Sequence, residues 1–476
     1  MDFDNCMSWL EAASPASPAS HDEIPDNRGQ ASRYAAAPAA LSIITPPFSL
    51  PKGTWFDESL DVRDPEGDSL AQRAIALIAT IEKRKRKRNR AAEANHHIIV
   101  RKILMNGLRC HYYRRPAWVS YLRKADGYSG KPAWFSGKAM ARTVDLLAAA
   151  GLLETSAGDR GTASTYRVTK KLVILAETCG ISGGSFVLPM PPERLVRLRR
   201  GNSKSPQVGF DHDDETRLWT ALLTEYNAFA RQHHITIALT EEEEQRWVHH
   251  WNKERTTGGW PLRRPERFRT NLYRQFNNGS FEEGGRLYGG WWQYLPKEFR
   301  HRIQINGQPT IELDYAGCAI RMLYHERGID YRDDPYELPA IVSHEMKQGL
   351  PPGYYRDAIK AITQALINDH SGDQPEKIRL PRGLSFRPCF KREEIRRMIE
   401  DKHAPIAEAF GTGAGLRLQR RDSDLALAII TAMGEQGVLV LPVHDSFIAA
   451  KGEKEKLRVE MEKAYADRFI YIPIIK

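Results

Sequence analysis

The sequence predicts an α+β chain, and three patterns carry that reading. Between residues 96 and 175 two helical stretches run into a pair of strand-like segments. "TIELD" alternates apolar and polar residues as a half-buried strand does, and "GVLVLPVHDSFIAA" reads as two apolar strands around a polar break. "YYRDAIKAITQALIND" repeats polar residues every four positions, the spacing of one helix face.

At 476 residues the chain exceeds what a single core usually holds, so two or three domains are expected. Lys and Arg number 70 against 60 Asp and Glu, a formal charge of +10 that suits a polyanionic partner, nucleic acid first. The five cysteines, Cys6, Cys110, Cys179, Cys318 and Cys389, form no CxxC pair and are odd in number. That argues against a disulfide framework or a thiolate zinc site and fits a reducing cytoplasm. No apolar run approaches the ~20 residues of a membrane span. "MDFDNCMSW" lacks the basic and apolar regions of a signal peptide, so a cytoplasmic protein with no membrane partner is expected.

Residues 1–70, rich in Ala, Pro, Ser and Asp, read as a disordered tail or linker. "IEKRKRKRNR" follows at 81–90 and is either a solvated helix face or a phosphate-contacting segment. In "SGKAMARTVDLLAAAGLLE", Ser136 can cap a helix whose Met140, Val144 and Leu147 recur at helical spacing, and Gly151 should stop it. "LLETSAGDRGTASTYRVT" then reads as a hairpin. This layout, over residues 75–180, resembles a winged helix. The resemblance implies that Lys138 and Arg142 face DNA and that Arg160 lies on the wing; a winged helix used for protein contacts is the alternative. Residues 205–265 look helical and polar, with "TEEEEQRW" a capped acidic helix start, inside a helical region expected over 190–265.

Asp314 falls at the end of the "TIELD" strand, where a turn can present a carboxylate to a cleft or merely cap a helix. Asp445 falls at the tip of the second apolar hairpin. Two acids at strand ends in apolar surroundings can hold two Mg²⁺ ions, with Mn²⁺ an alternative. Arg356, Lys360, Gln364 and Asn368 share one helix face, either a solvated stripe or a seat for a triphosphate and its sugar or base.

These stretches carry a resemblance in a fixed order. "DYAGCAIRML" resembles motif A (DYSQIELRVL) of the family A DNA polymerases, and "RDAIKAITQALIN" is similar to their motif B. "VHDSF" resembles motif C in the form found in the single-subunit phage and mitochondrial RNA polymerases. "GGRLYG" is similar to the Gly-Arg element of both branches, and "QRRDSD" places Gln419 and Asp424 as in the stretch before motif C. The joint match over residues 284–450 is far more specific than any one motif.

The resemblance implies that Asp314, Asp445 and the carbonyl of Tyr315 bind metal. It implies that Arg356 and Lys360 bind the incoming triphosphate, that Arg286 touches primer or template, and that His444 supports the growing 3′ end. Ala319 stands where the DNA polymerases carry a glutamate that excludes a ribose 2′-OH, so ribonucleotides should be accepted. Gln364 and Asn368 replace the aromatic and tyrosine of motif B, which weakens the expected stacking on the base. The implied architecture is a right-hand palm with an antiparallel sheet and reduced fingers at 266–476, a thumb-like or linking region at 190–265, and the winged helix before them. The expected partners are a DNA template and nucleoside triphosphates. The expected function is DNA-templated nucleotidyl transfer with ribonucleotides. A DNA polymerase of relaxed sugar choice and a catalytically inactive winged-helix initiator or regulator are the alternatives.

Overall fold

A computed structural model describes residues 53–476 except 63, 85, 116, 124–133, 159–162, 203–204, 253–261, 264–265, 370–385 and 387–388. The chain folds as two compact units, Ala71–Leu175 with the stretch ending at Phe56, and Asp57–Leu70 with Ala176–Lys476. Helices and antiparallel or mixed sheets alternate irregularly, an α+β arrangement. No helix among the described residues is long and apolar enough to cross a membrane.

The smaller unit follows the pattern read from its sequence. Asn89 caps the helix Arg90–Tyr113, its side chain accepting from the Ala92 N–H at 2.8 Å, and Ile99, Val100, Ile103 and Leu104 form the buried face. The helix Gly137–Ala149 is capped by Ser136 and buries Met140, Val144 and Leu147; it ends where Gly151 takes a φ of 72°. Leu153–Ser156 and Ser164–Val168 pair as an antiparallel hairpin, joined in one sheet by Val119–Tyr121 and Thr54–Trp55. A Cβ on Gly107 would come within 2.7 Å of Val168 Cγ1, so only glycine lets the long helix press onto the hairpin.

Two expectations change here. Residues 53–70 are not a tail: Asp61–Val62 pairs with Phe186–Val187, and Leu60, Val62 and Leu70 are buried, because these apolar residues have a core to enter. Residues 1–52 lie outside the described residues. Nor is 190–265 wholly helical. Helices Asp214–Arg231 and Glu241–Asn252 are present, the latter opened by Thr240, but "ITI" at Ile235–Ile237 forms a strand. That strand pairs with Ile303–Ile305, because Ile235 and Ile237 complete the apolar face of the larger sheet.

That sheet has five antiparallel strands in the order Ile235–Ile237, Ile303–Ile305, Gln308–Asp314, Ser446–Ala450, Leu441–Val443. A second sheet orders Gly284–Tyr288, Tyr273–Phe276, Val196–Arg199 and Gln207–Val208. Helix Ala414–Glu435 packs against Gly284–Tyr288 and against helices Lys454–Phe469 and Arg356–Asn368. Gly285, at φ 78°, allows the first of these approaches, since a Cβ there would lie 2.7 Å from Phe276 and 3.0 Å from Ser423 Oγ.

Candidate active site

The strand register brings the two acids together. Thr310 to Asp314 pairs residue for residue with Ala450 to Ser446, which sets Asp314 opposite Ser446, next to Asp445. The Tyr315 N–H donates to the Asp445 carbonyl at 3.1 Å, and the Asp314 N–H and C=O both pair with Lys476 at 3.0 Å. His444 and Asp445 form the two-residue tip of the Leu441–Ala450 hairpin, as the sequence predicts, with His444 at φ 58°. Alternation puts Leu313 into the core and turns Glu312 and Asp314 to the other side.

The electrostatics of this corner are those of crowded acids. Burial raises the Asp314 pKa, the Asp445 charge raises it further, and Lys360 and Lys297 oppose. Burial likewise raises that of Asp422, against the pull of Arg286 and with the push of Asp445. Cys318 is buried and its thiol is held far up by burial and by the same three acids. Burial disfavours charge on Arg286, yet Asp422 and Asp445 outweigh it and keep the guanidinium protonated. His444 stays neutral, because burial and then Arg286 and Arg300 disfavour a second positive charge.

Asp422 is the residue that the sequence reading passes over. Arg286 Nε and Nη2 both donate to Asp422 Oδ2, at 2.9 and 2.8 Å. Helical spacing could have found it: Asp422 lies three residues after Gln419 and shares its face, whereas Asp424 is five away. Asp424 instead pairs with Arg274, Arg420 and Arg468, which removes it from the acid pair. Gln419 is buried on the same helix. Glu312 also belongs to the corner, accepting from Ser446 Oγ at 2.6 Å and Arg300 Nη1 at 2.9 Å. Ser446 therefore orders a carboxylate.

The helix face that carries Arg356, Lys360, Gln364 and Asn368 is only partly available. Lys360 is half-buried, stands 5.9 Å from the Tyr336 ring centroid and feels Asp314, with no ion pair among the described residues. Arg356 holds Asp334 with two hydrogen bonds, at 2.9 and 3.2 Å. Gln364 hydrogen-bonds the buried Tyr336, and Asn368 donates to the Gln364 carbonyl at 2.7 Å while pressing on Gly415. Asn368 thus serves helix packing, because its end of the helix abuts Ala414–Glu435.

The remaining predicted residues divide by role. Tyr315 is 2 % exposed with its hydroxyl donating to the Met461 carbonyl, so only its backbone can serve the site. Ala319 is half-buried in the first turn of the helix Cys318–Glu326. Arg321, seven residues after Asp314, donates to the carbonyls of Ala316 and Asp333 and so fixes the turn that follows the acid. In the other unit Lys138 and Arg142 are exposed, Arg142 reaching Glu82 at 3.2 Å. Arg160 lies outside the described residues.

Among the described residues no group of three or more His, Cys, Asp or Glu is arranged to hold a metal. Two carboxylates nevertheless fit Mg²⁺, which keeps several waters and is commonly held by one or two carboxylates plus substrate phosphates. The mutual repulsion at Asp314 and Asp445 is what such a cation relieves. A scan of the chain against protein-family models and a search of curated proteins both gave no match.

Proposed function

We propose that the chain is a DNA-templated nucleotidyltransferase that accepts ribonucleotides. The observation that supports it best is the register that sets Asp314 beside Asp445, two acids from segments far apart in the sequence, with Lys360 close enough to act on Asp314. Asp314 and Asp445 would hold Mg²⁺, which when bound lowers the pKa of an attacking hydroxyl and offsets the charge of a pyrophosphate leaving group. Lys360 offers its ammonium to the triphosphate. Arg356 joins it on exchanging Asp334 for phosphate oxygens. Neutral His444, over Tyr288 at 5.9 Å, can donate to or accept from a sugar hydroxyl beside the acids. Ala319 presents one methyl group, which leaves room for a 2′-OH. The smaller unit, with its helix, helix and hairpin, is read as a winged helix that brings DNA to the enzyme through Lys138 and Arg142.

The test is incorporation of labelled rNTPs and dNTPs on primed and unprimed DNA with Mg²⁺ or Mn²⁺. Asp314→Ala and Asp445→Ala should each abolish incorporation while DNA affinity is kept. Incorporation that survives both substitutions, or its absence from the folded wild-type chain on every template, would refute the proposal. Primer extension with dNTPs alone would overturn the ribonucleotide assignment.

A further inference from the structure

The second sheet carries a face of which the proposed chemistry uses only Arg286 and Tyr288, at the edge next to the acids. Pairing sets Tyr273 opposite Tyr288, Gln275 opposite Arg286, and Gln275 beside Arg197, so these residues share one side with Arg199, two positions on. Arg199 confirms the shared side by donating to Gln275 Oε1 at 3.1 Å. The opposite side, Val196, Leu198, Arg274, Phe276 and Leu287, is buried.

This face is aromatic and basic. The Arg197 guanidinium lies 3.4 Å from the Tyr273 ring centroid, and the rings of Tyr273 and Tyr288 are 6.1 Å apart at 33°. Among the described residues Arg197 donates to the Arg194 carbonyl and to Met190 Sδ and forms no ion pair, and the neighbouring guanidinium groups of Arg199 and Arg194 add to the cost of its burial. Exposed Arg194 likewise has no ion pair among the described residues. Cations half-buried without acids are costly unless an anion meets them. The face continues into the acid corner, since Tyr288 meets His444 edge-on at 5.9 Å.

From this continuity, the positive charge and the flat stacking surfaces, we infer that the face binds a single nucleic-acid strand. Phosphates meet Arg194, Arg197 and Arg199, and bases stack on the outer plane of the Arg197 guanidinium and on the tyrosines. Paired duplex bases offer no free faces to such a platform. The inference rests on the nucleotidyltransferase reading only in directing the strand's end toward Asp445; strand binding stands without it.

The experiment uses the full chain with fluorescein-labelled oligo(dT) and oligo(rU), in excess unlabelled duplex DNA to occupy duplex sites. Tyr273→Ala should weaken single-strand binding about tenfold, the effect of losing one stack, and Tyr273→Phe should leave it within about twofold. Arg197→Gln should lower the slope of log affinity against log salt by about 1. Photo-crosslinks from bromouridine-substituted strands should map to peptides containing Tyr273 or Tyr288, a readout that damage to folding would not create. Preference for one oligonucleotide identifies the strand as DNA or RNA. Wild-type affinity in both Tyr273→Ala and Arg197→Gln, or crosslinks confined to residues 71–175, would overturn the inference. Incorporation assays on the same samples keep the two questions apart: strand binding without incorporation by the wild type sinks the enzyme reading alone.

Discussion

Gly415 gives the sharpest test of how the helix Arg356–Asn368 is held. It sits in the first turn of Ala414–Glu435, and a Cβ there would lie 2.6 Å from Asn368 Cγ and 3.3 Å from the Asn368 backbone. The amide cannot simply swing away, because Asn368 Nδ2 donates to the Gln364 carbonyl at 2.7 Å. The backbone of the neighbouring helix must therefore move, and Gly415→Ala should cost about 1–3 kcal/mol, the usual range for overpacking. Gly434 in the same helix supplies the control, since nothing lies within 4 Å of its Cβ position. Gly434→Ala should stabilise by about 0.5–1 kcal/mol, the ordinary gain from removing a helical glycine. Calorimetry of the full chain would thus separate two identical chemical changes by about 1.5–4 kcal/mol. Adding Asn368→Ala to Gly415→Ala should recover much of the loss, as expected for residues in direct contact. If Gly415→Ala proves as stable as Gly434→Ala, the close approach of the two helices is wrong.

Three further outcomes follow from the geometry. Lys360→Ala should lower kcat/KM for nucleotide by about 10- to 100-fold, the loss of a charge-assisted hydrogen bond, and an unchanged value would remove Lys360 from the site. Ala319→Glu should shift incorporation from ribo- to deoxyribonucleotides, read as the ratio of kcat/KM on a single primed template; an unaltered ratio would show that position 319 does not face the sugar. His403 is fully buried, donates from Nε2 to the Pro335 carbonyl at 2.9 Å and accepts from the Tyr324 hydroxyl at 3.1 Å. Burial lowers its pKa below 6.5, so the unfolded chain takes up this proton first and folding stability falls as pH drops below 6.5. His403→Gln should flatten that part of the melting-temperature profile, and an equally steep profile would refute the assignment.

What the sequence made legible was local. The cap at Ser136, the stop at Gly151 and the core residues Met140, Val144 and Leu147 depend on spacing within one helix, and each stands where the pattern puts it. The His444–Asp445 hairpin tip is equally local. The partners of these residues were not legible, because they come from distant segments. Nothing near Arg356 indicates that Asp334 occupies it, and nothing near Arg286 indicates Asp422. Asn368, set on the polar face by its spacing, is claimed by a glycine 47 residues on. The strand Ile235–Ile237 was hidden for the same reason: three residues are too few for periodicity, and a neighbouring chain segment decides their state.

The two ends of Arg356–Asn368 are fastened with unequal strength. At its beginning the tie is a half-exposed ion pair, Arg356 with Asp334, worth under about 1 kcal/mol. At its far end the helix is wedged against a neighbour's backbone at Gly415, where there is no slack. An anion that captures Arg356 therefore costs the helix little at that end, while buried Ala358, Ile359 and Ile362, and Glu345 accepting from the Tyr355 N–H, keep Lys360 in place beside Asp314.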